Sequence, residues 1–210
     1  MEKIDIDSLK SFTVEVLGLK LEGVTLVFGE TGSGKTAFAL KVVEKFLKEG
    51  KKVTYVSTEK KWEDIKRIEK LMEKHGKENF SVYITSNNQE IEELINKINS
   101  DLIVIDNLNI AYKEDSTKKM LDLCKLLKEK TFNENSLALI TVHVYKDARV
   151  ISLGSLVPIG GLKLYTLSNK RILIKKTHSW NKRILSTENG EKVIEIEEGF
   201  IKGDNNVSGS

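Results

Sequence analysis

Gly29-Glu30-Thr31-Gly32-Ser33-Gly34-Lys35-Thr36 decides how this chain is read, because it is a complete G-x-x-x-x-G-K-[ST] pattern. It follows an apolar run at 24–28. It precedes a segment in which Phe38, Ala39, Val42, Val43, Phe46 and Leu47 recur at helical spacing. Strand, loop and helix in that order form a phosphate cradle. Glycines let main-chain N–H groups turn inward and approach phosphate oxygens, where a Cβ would obstruct the turn. Lys35 supplies a mobile cation for β- and γ-phosphates and Thr36 a hydroxyl for magnesium, while the positive end of the helix faces the anion. The expected ligands are ATP and magnesium, with Gly29, Glu30, Thr31, Gly32, Ser33, Gly34, Lys35 and Thr36 forming the binding loop.

Working outward, the chain alternates strand and helix. Residues 12–16 read as a short strand leading into the core, and Gly50 stops the first helix after Lys45 and Lys48 in its last turn. A second strand at 53–57 runs into Thr58-Glu59. The helix after it is expected to place Trp62, Ile65, Ile68, Met72 and His75 on one face. His75 reads as a helix-end histidine, since no Cys or His partner stands at metal-site spacing. A third strand at 80–85 precedes a helix carrying Ile91, Leu94, Ile95 and Ile98. The buried-strand run at 101–106 ends in Asp106. A helix with Met120, Leu123, Cys124 and Leu127 and a strand at 137–142 follow. This alternation predicts an α/β fold with a mostly parallel twisted sheet flanked by helices.

Beyond residue 145 the texture changes. Residues 146–161 hold three glycines and the chain's single proline and read as a long irregular loop. The last third reads as antiparallel strands at 171–176, 182–185 and 192–197, a C-terminal hairpin extension. The organisation expected is one domain over 1–202 and a flexible tail at 203–210.

Composition bounds the function classes. With 210 residues and 40% apolar content there is one good core to build, and no run of about 18 apolar residues exists to span a membrane. The N-terminus lacks the apolar block of a secretory signal, and one cysteine, Cys124, cannot form an internal disulfide, so cytoplasm is the expected compartment. The net charge of +3 is uneven: residues 145–183 carry nine Lys or Arg against one acid, Asp147, a net of +8 that leaves −5 elsewhere. Such a block suits an anionic partner such as nucleic acid, or else a solvated lysine-rich surface.

Asp106, at the C-terminal end of its strand, is the acid this kind of phosphate loop needs to hold magnesium, usually through water. Glu59 ends another strand, and its carboxylate is placed either to orient the attacking water or to start a helix.

The phosphate loop, Tyr55-Val56-Ser57-Thr58-Glu59, Leu102-Ile103-Val104-Ile105-Asp106, Pro158-Ile159-Gly160-Gly161 and the terminal strands together resemble the RecA/RadA recombinase superfamily ATPase core. The compact length is most similar to archaeal RadA paralogues of the RadB kind. The resemblance implies a RecA-like ATPase core and a weak or DNA-stimulated ATPase in recombination and repair. It assigns Glu59 as catalytic beside Lys35, and Thr36 and Asp106 to the metal. Residues 107–116 and 145–157 become DNA-binding loops, with Lys146 and Arg149 for phosphates and Tyr145 for stacking on a base. The implied partners are DNA, single-stranded favoured, and a RadA-type recombinase. Where the family carries Asn-Gln this chain has Val142 and His143, which makes His143 the candidate γ-phosphate sensor. The linker motif that joins family subunits is absent, and so is their proline-containing cap. A KaiC-like or archaellum-type nucleotide-switched module with little turnover is the alternative, and a paralogue that only docks on the recombinase is a third.

Overall fold

The computed structural model describes residues 12–111, 117–146 and 156–202. In chain order the elements are β1 (Thr13–Val16), β2 (Leu19–Glu22), β3 (Val24–Gly29), α1 (Lys35–Lys48), β4 (Val53–Ser57), α2 (Trp62–His75), β5 (Phe80–Ile84), α3 (Asn88–Lys97) and β6 (Leu102–Asp106). They continue with α4 (Leu108–Ala111), α5 (Thr117–Asn133), β7 (Leu137–Val142), β8 (Val144–Lys146), β9 (Leu156–Pro158) and α6 (Gly161–Leu167). Four strands close the chain: β10 (Lys170–Lys176), β11 (Lys182–Thr187), β12 (Gly190–Glu197) and β13 (Phe200–Ile201).

Nine strands form one sheet in the order β13-β12-β11-β10-β3-β7-β6-β4-β5. From β10 to β5 every pairing is parallel, and from β10 to β13 every pairing is antiparallel. The fold is therefore the mostly parallel α/β sheet with a C-terminal antiparallel extension that the sequence predicts. One detail differs from the reading of the last third as antiparallel. β10 is the hinge strand, parallel to β3 and antiparallel to β11.

Strands β3, β4, β6 and β7 bury every residue, which is why they read as continuous apolar runs. Alternate side chains serve two cores. Val27, Tyr55, Val104 and Ile174 pack under α1, α2 and the β1–β2 hairpin. Leu26, Phe28, Ile105 and Ile140 pack under α3, α5 and α6. Cys124 is buried in the second core beside Met120 and Leu127, as its helical spacing predicts. β1 and β2 meet through Leu17-Gly18, a two-residue turn with both φ values positive, the hairpin geometry that matches strand twist.

Helix α2 keeps its expected face apart from Trp62: Ile68 is buried and Ile65, Met72 and His75 are half-buried, with Met72 packed against the first core. Its buried residues are Asp64, Ile68 and Leu71, whereas Trp62 is 62% exposed and carries the Lys66 ammonium over its ring. Asp64 pairs with Arg67 one turn on. The 146–161 stretch is also less irregular than expected. Its ends pair as an antiparallel ribbon, β8 with β9, and α6 begins at Gly161. Among the described residues no helix is long and apolar enough to cross a membrane. The proposed tail at 203–210 lies outside the described residues.

Candidate nucleotide-binding site

A parallel sheet with a phosphate loop after its central strand collects functional groups along the C-terminal strand edge. Loop 29–36 joins β3 to α1 there. Gly29 is forced by close packing, because a Cβ on it would stand 2.4 Å from the Ile174 carbonyl oxygen and 2.6 Å from Ser33 Oγ. Gly34 is forced by conformation: its φ is +102°, and it is the N-cap of α1 with no side-chain cap. No acid occupies the first turn of α1, so its leading N–H groups and the positive helix end remain available to an anion. Glu30, Thr31 and Gly32 are exposed at the loop tip. Ser33 Oγ is buried and finds no hydrogen-bond partner among the described residues.

Lys35 is 6% exposed and turns back on its own loop, donating from Nζ to the Gly29 and Glu30 carbonyls, each at 3.0 Å. Burial pushes its ammonium down to about 8, with Asp106 opposing the shift. Half-buried Thr36 lines the same crevice as Lys35, Glu59, Asp106, Asn107 and His143.

Asp106 sits at the end of β6 with both carboxylate oxygens engaged. Tyr55 of β4 donates its hydroxyl to Oδ2 at 2.7 Å, and Thr141 of β7 donates to Oδ1. Two hydroxyls use half of the acceptor capacity of a carboxylate, which leaves lone pairs for metal-bound water. Burial, followed by the Asp106 charge, raises the Tyr55 phenol well above its ordinary pKa and keeps it a donor. The ends of β4 and β6 are stitched together: Thr58 N–H donates to Asp106 O at 2.7 Å, Thr58 Oγ1 to Asn107 O at 2.7 Å, and Asn107 N–H to Thr58 Oγ1 at 2.8 Å. This stitching carries Glu59 to the crevice. Its Oε1 accepts from Asn107 Nδ2 at 3.4 Å, and its Oε2 meets the Lys61 ammonium. Burial raises the pKa of Glu59, but Lys61 outweighs it and holds the carboxyl below its usual range.

His143 follows β7 and touches three parts of the molecule. Nδ1 lies 3.2 Å from Lys35 Nζ, Nε2 lies 2.6 Å from the Asn107 amide, and the main-chain N–H donates to Asn109 Oδ1 at 2.8 Å. Its carbonyl accepts from Ile159 N–H at 2.8 Å, beside the β8–β9 ribbon. Burial first and the Lys35 charge second lower its pKa, so the ring is neutral near pH 7.

The structure thus brings together Lys35, Thr36, Glu59, Asp106 and His143. Tyr145 stands apart on β8, opposite Val157 and 43% exposed. Arg149, the Lys146 side chain, residues 112–116 of the first proposed DNA loop and 147–155 of the second lie outside the described residues. The described half of the first loop is not an open DNA-binding loop: Asn107, Leu108 and Asn109 are buried and α4 begins at Leu108. The basic block is partly neutralised by strand pairing. Lys170 and Arg171 meet Glu188 at 2.7 and 2.9 Å, and Lys175 meets Glu191 at 2.7 Å. Sequence reasoning did not find Tyr55, Thr141, Asn107 or Asn109. A polar residue in an otherwise apolar strand run, as at Tyr55 and Thr141, was the available signal.

These residues suit magnesium and a nucleotide. The orphaned Ser33 hydroxyl, the uncapped amides, the inward lysine and a buried carboxylate with free lone pairs all match an anion with a divalent cation.

A family described as the KaiC ATPase matches residues 6–76. The DNA repair and recombination protein RadB of Methanococcus maripaludis strain C5 is 30% identical over 181 residues, 77% of this chain and 80% of that protein. RadB of Methanococcoides burtonii is 28% identical over 189 residues, 80% of this chain and 82% of that one. Among solved structures, the RadB recombinase superposes with a TM-score of 0.64 at 20% identity, covering 85% of this chain and 89% of the other. Buried parallel strands, a phosphate loop and an extended match to RadB sequences agree, and the chain belongs to the RadB family of RecA-like ATPases.

Proposed function

We propose that this protein binds ATP with magnesium, hydrolyses it slowly, and links its nucleotide state to DNA bound at the β8–β9 ribbon, in recombination and repair beside a RadA-type recombinase. The observation that carries this reading is the single crevice shared by Lys35, Thr36, Glu59, Asp106 and His143. Residues 1–202 act in it as one ATPase domain.

The roles follow from chemistry. Lys35 exchanges its two carbonyl partners for phosphate oxygens, which are stronger acceptors for an ammonium. Thr36 and Asp106 would hold the metal, which would supply positive charge to offset that of the phosphates. Glu59, ionised at neutral pH, accepts a hydrogen bond from water and aligns it, and Tyr55 and Thr141 keep Asp106 in a fixed rotamer. His143 links the nucleotide to DNA. A phosphate that takes Lys35 away from Nδ1 alters the partners of a side chain whose carbonyl holds Ile159 next to the ribbon. Tyr145, Lys146 and Arg149 then contact DNA, single-stranded favoured. The names of the relatives and the KaiC-type match support this reading.

The contact of Lys61 on Glu59 favours a second reading, a nucleotide-switched binding module with little turnover, because a carboxylate held by an ammonium is a poor water-orienting group.

ATP hydrolysis measured with and without single-stranded DNA, alone and mixed with a RadA-type recombinase, separates the two. Glu59→Gln is expected to lower turnover about 100-fold while ATP still binds. Turnover unaffected by that change removes Glu59 from the mechanism. His143→Ala is expected to collapse the ratio of DNA-stimulated to basal hydrolysis, and unchanged stimulation removes the sensor role.

A further inference from the structure

Two cations outside the loop face the same crevice. Lys176 at the end of β10 stands opposite Arg183 at the start of β11. Alternation along the strands puts both on the α1 side of the sheet: Ile174 and Leu185, two positions away on each strand, belong to the core beneath α1, as does Ile194, the partner of Arg183 on β12. Lys176 Nζ lies 3.8 Å from where a Cβ of Gly32 would stand, and Arg183 Cγ lies 3.8 Å from the corresponding point at Gly34. The paired positions therefore run along the phosphate loop, and Arg183 lines the crevice.

Their charge is uncompensated, unlike that of their neighbours. Lys170, Arg171, Lys175 and Lys182 all face carboxylates of β11–β12 or its turn. Neither Lys176 nor Arg183 has a carboxylate partner among the described residues. The Arg183 fork is aimed by the hairpin turn, with Nη1 donating to the carbonyls of Trp180 at 2.8 Å and Lys182 at 2.7 Å. Its Nε is buried and has no partner among the described residues. A buried guanidinium donor left open beside a phosphate cradle is costly unless an anion completes it.

We propose that Lys176 and Arg183 form a second polyphosphate clamp acting in cis, on nucleotide held by the loop of the same chain. The proposal rests on the reading of loop 29–36 as a nucleotide site. Arg183 presents planar donors to phosphate oxygens and Lys176 a point charge, so together with Lys35 they surround the polyphosphate from the loop side and the hairpin side.

Titrating ATP and ADP into the full chain and its variants tests this. Lys176→Ala and Arg183→Gln are each expected to weaken both nucleotides about tenfold and to flatten the salt dependence of binding, with Arg183→Lys recovering part of the loss. Lys35→Ala is the control on the site itself. If it binds like the wild type, the nucleotide reading falls. If it loses binding while the hairpin variants keep wild-type affinity and salt dependence, the clamp alone falls. Mixing Arg183→Gln with Lys35→Ala then decides between cis and trans. Hydrolysis no greater than the sum of the separate variants is expected, and recovered hydrolysis, which requires Arg183 to reach another chain's nucleotide, overturns the cis assignment.

Discussion

Strands β3, β4, β6 and β7 bury every residue they contain, whereas β11 and β12 bury only Leu185 and Ile194. The two groups share one sheet but are held in different ways. The parallel strands are sandwiched between two apolar cores, so their ionisable site groups stand at or just beyond their ends, where Glu59, Asp106 and His143 gather. The antiparallel strands have one covered face, and across the other run ion pairs such as Lys175 with Glu191. Apolar burial therefore holds the site rigid on one side, and exposed charge leaves the other side open to change.

The largest expected contrast is in stability. Phe38 of α1 is fully buried in the first core, so Phe38→Ala should cost about 3–5 kcal/mol in urea unfolding. Val193 of β12 is 59% exposed, and Val193→Ala should stay within about 0.5 kcal/mol. Equal costs would break the distinction between the halves.

The same distinction explains what the sequence revealed. The run ending at Asp106 and the strand at 137–142 match β6 and β7 closely, since a strand buried on both faces must be apolar throughout. So does the helix after the phosphate loop, whose period is local in sequence, whereas Glu59 meets Asn107 and His143 only because β4 pairs with β6. The β8–β9 ribbon was hidden because three-residue strands have no measurable period. The pairing of β10 with β3 was hidden because periodicity says nothing about which strand lies alongside. A count of basic residues was misleading for a related reason. The acids that neutralise Lys170, Arg171 and Lys175 lie beyond the counted block, at Glu188 and Glu191, and only the cross-strand register brings them together. Lys176 and Arg183 stood undistinguished in that same block.

An acid titration sharpens the comparison at intermediate size. Glu44 of α1 lies among Lys41, Lys48, Lys74 and His75. Burial opposes its charge, but Lys74 and Lys48 pull its pKa down to about 2. A carboxyl lowered on folding contributes stability above its unfolded pKa, here near 4.5, and loses it as pH falls toward 2. After solvent screening this amounts to about 1–2 kcal/mol. Between pH 7 and pH 2 the wild type should lose that much more stability than Glu44→Gln, measured by urea unfolding at each pH. Parallel pH profiles for the two proteins would show that the lysines around Glu44 do not stabilise its charge.

A small expected effect on stability is the most informative about the antiparallel half. Glu188 is half-exposed, so Glu188→Gln should change stability by less than about 1 kcal/mol. It frees the charges of Lys170 and Arg171 without moving either strand. If β10 contributes to the DNA surface, affinity for single-stranded DNA should rise at low salt. The slope of log affinity against log salt should then steepen by up to about 1.4, roughly 0.7 for each phosphate newly met. An unchanged slope would mean that these two cations lie off the path of the strand. The interface would then narrow to Tyr145 and the loop beyond it, and the ion pairs would serve only to keep β10 and β11 in the register that sets Lys176 and Arg183 beside the phosphate loop.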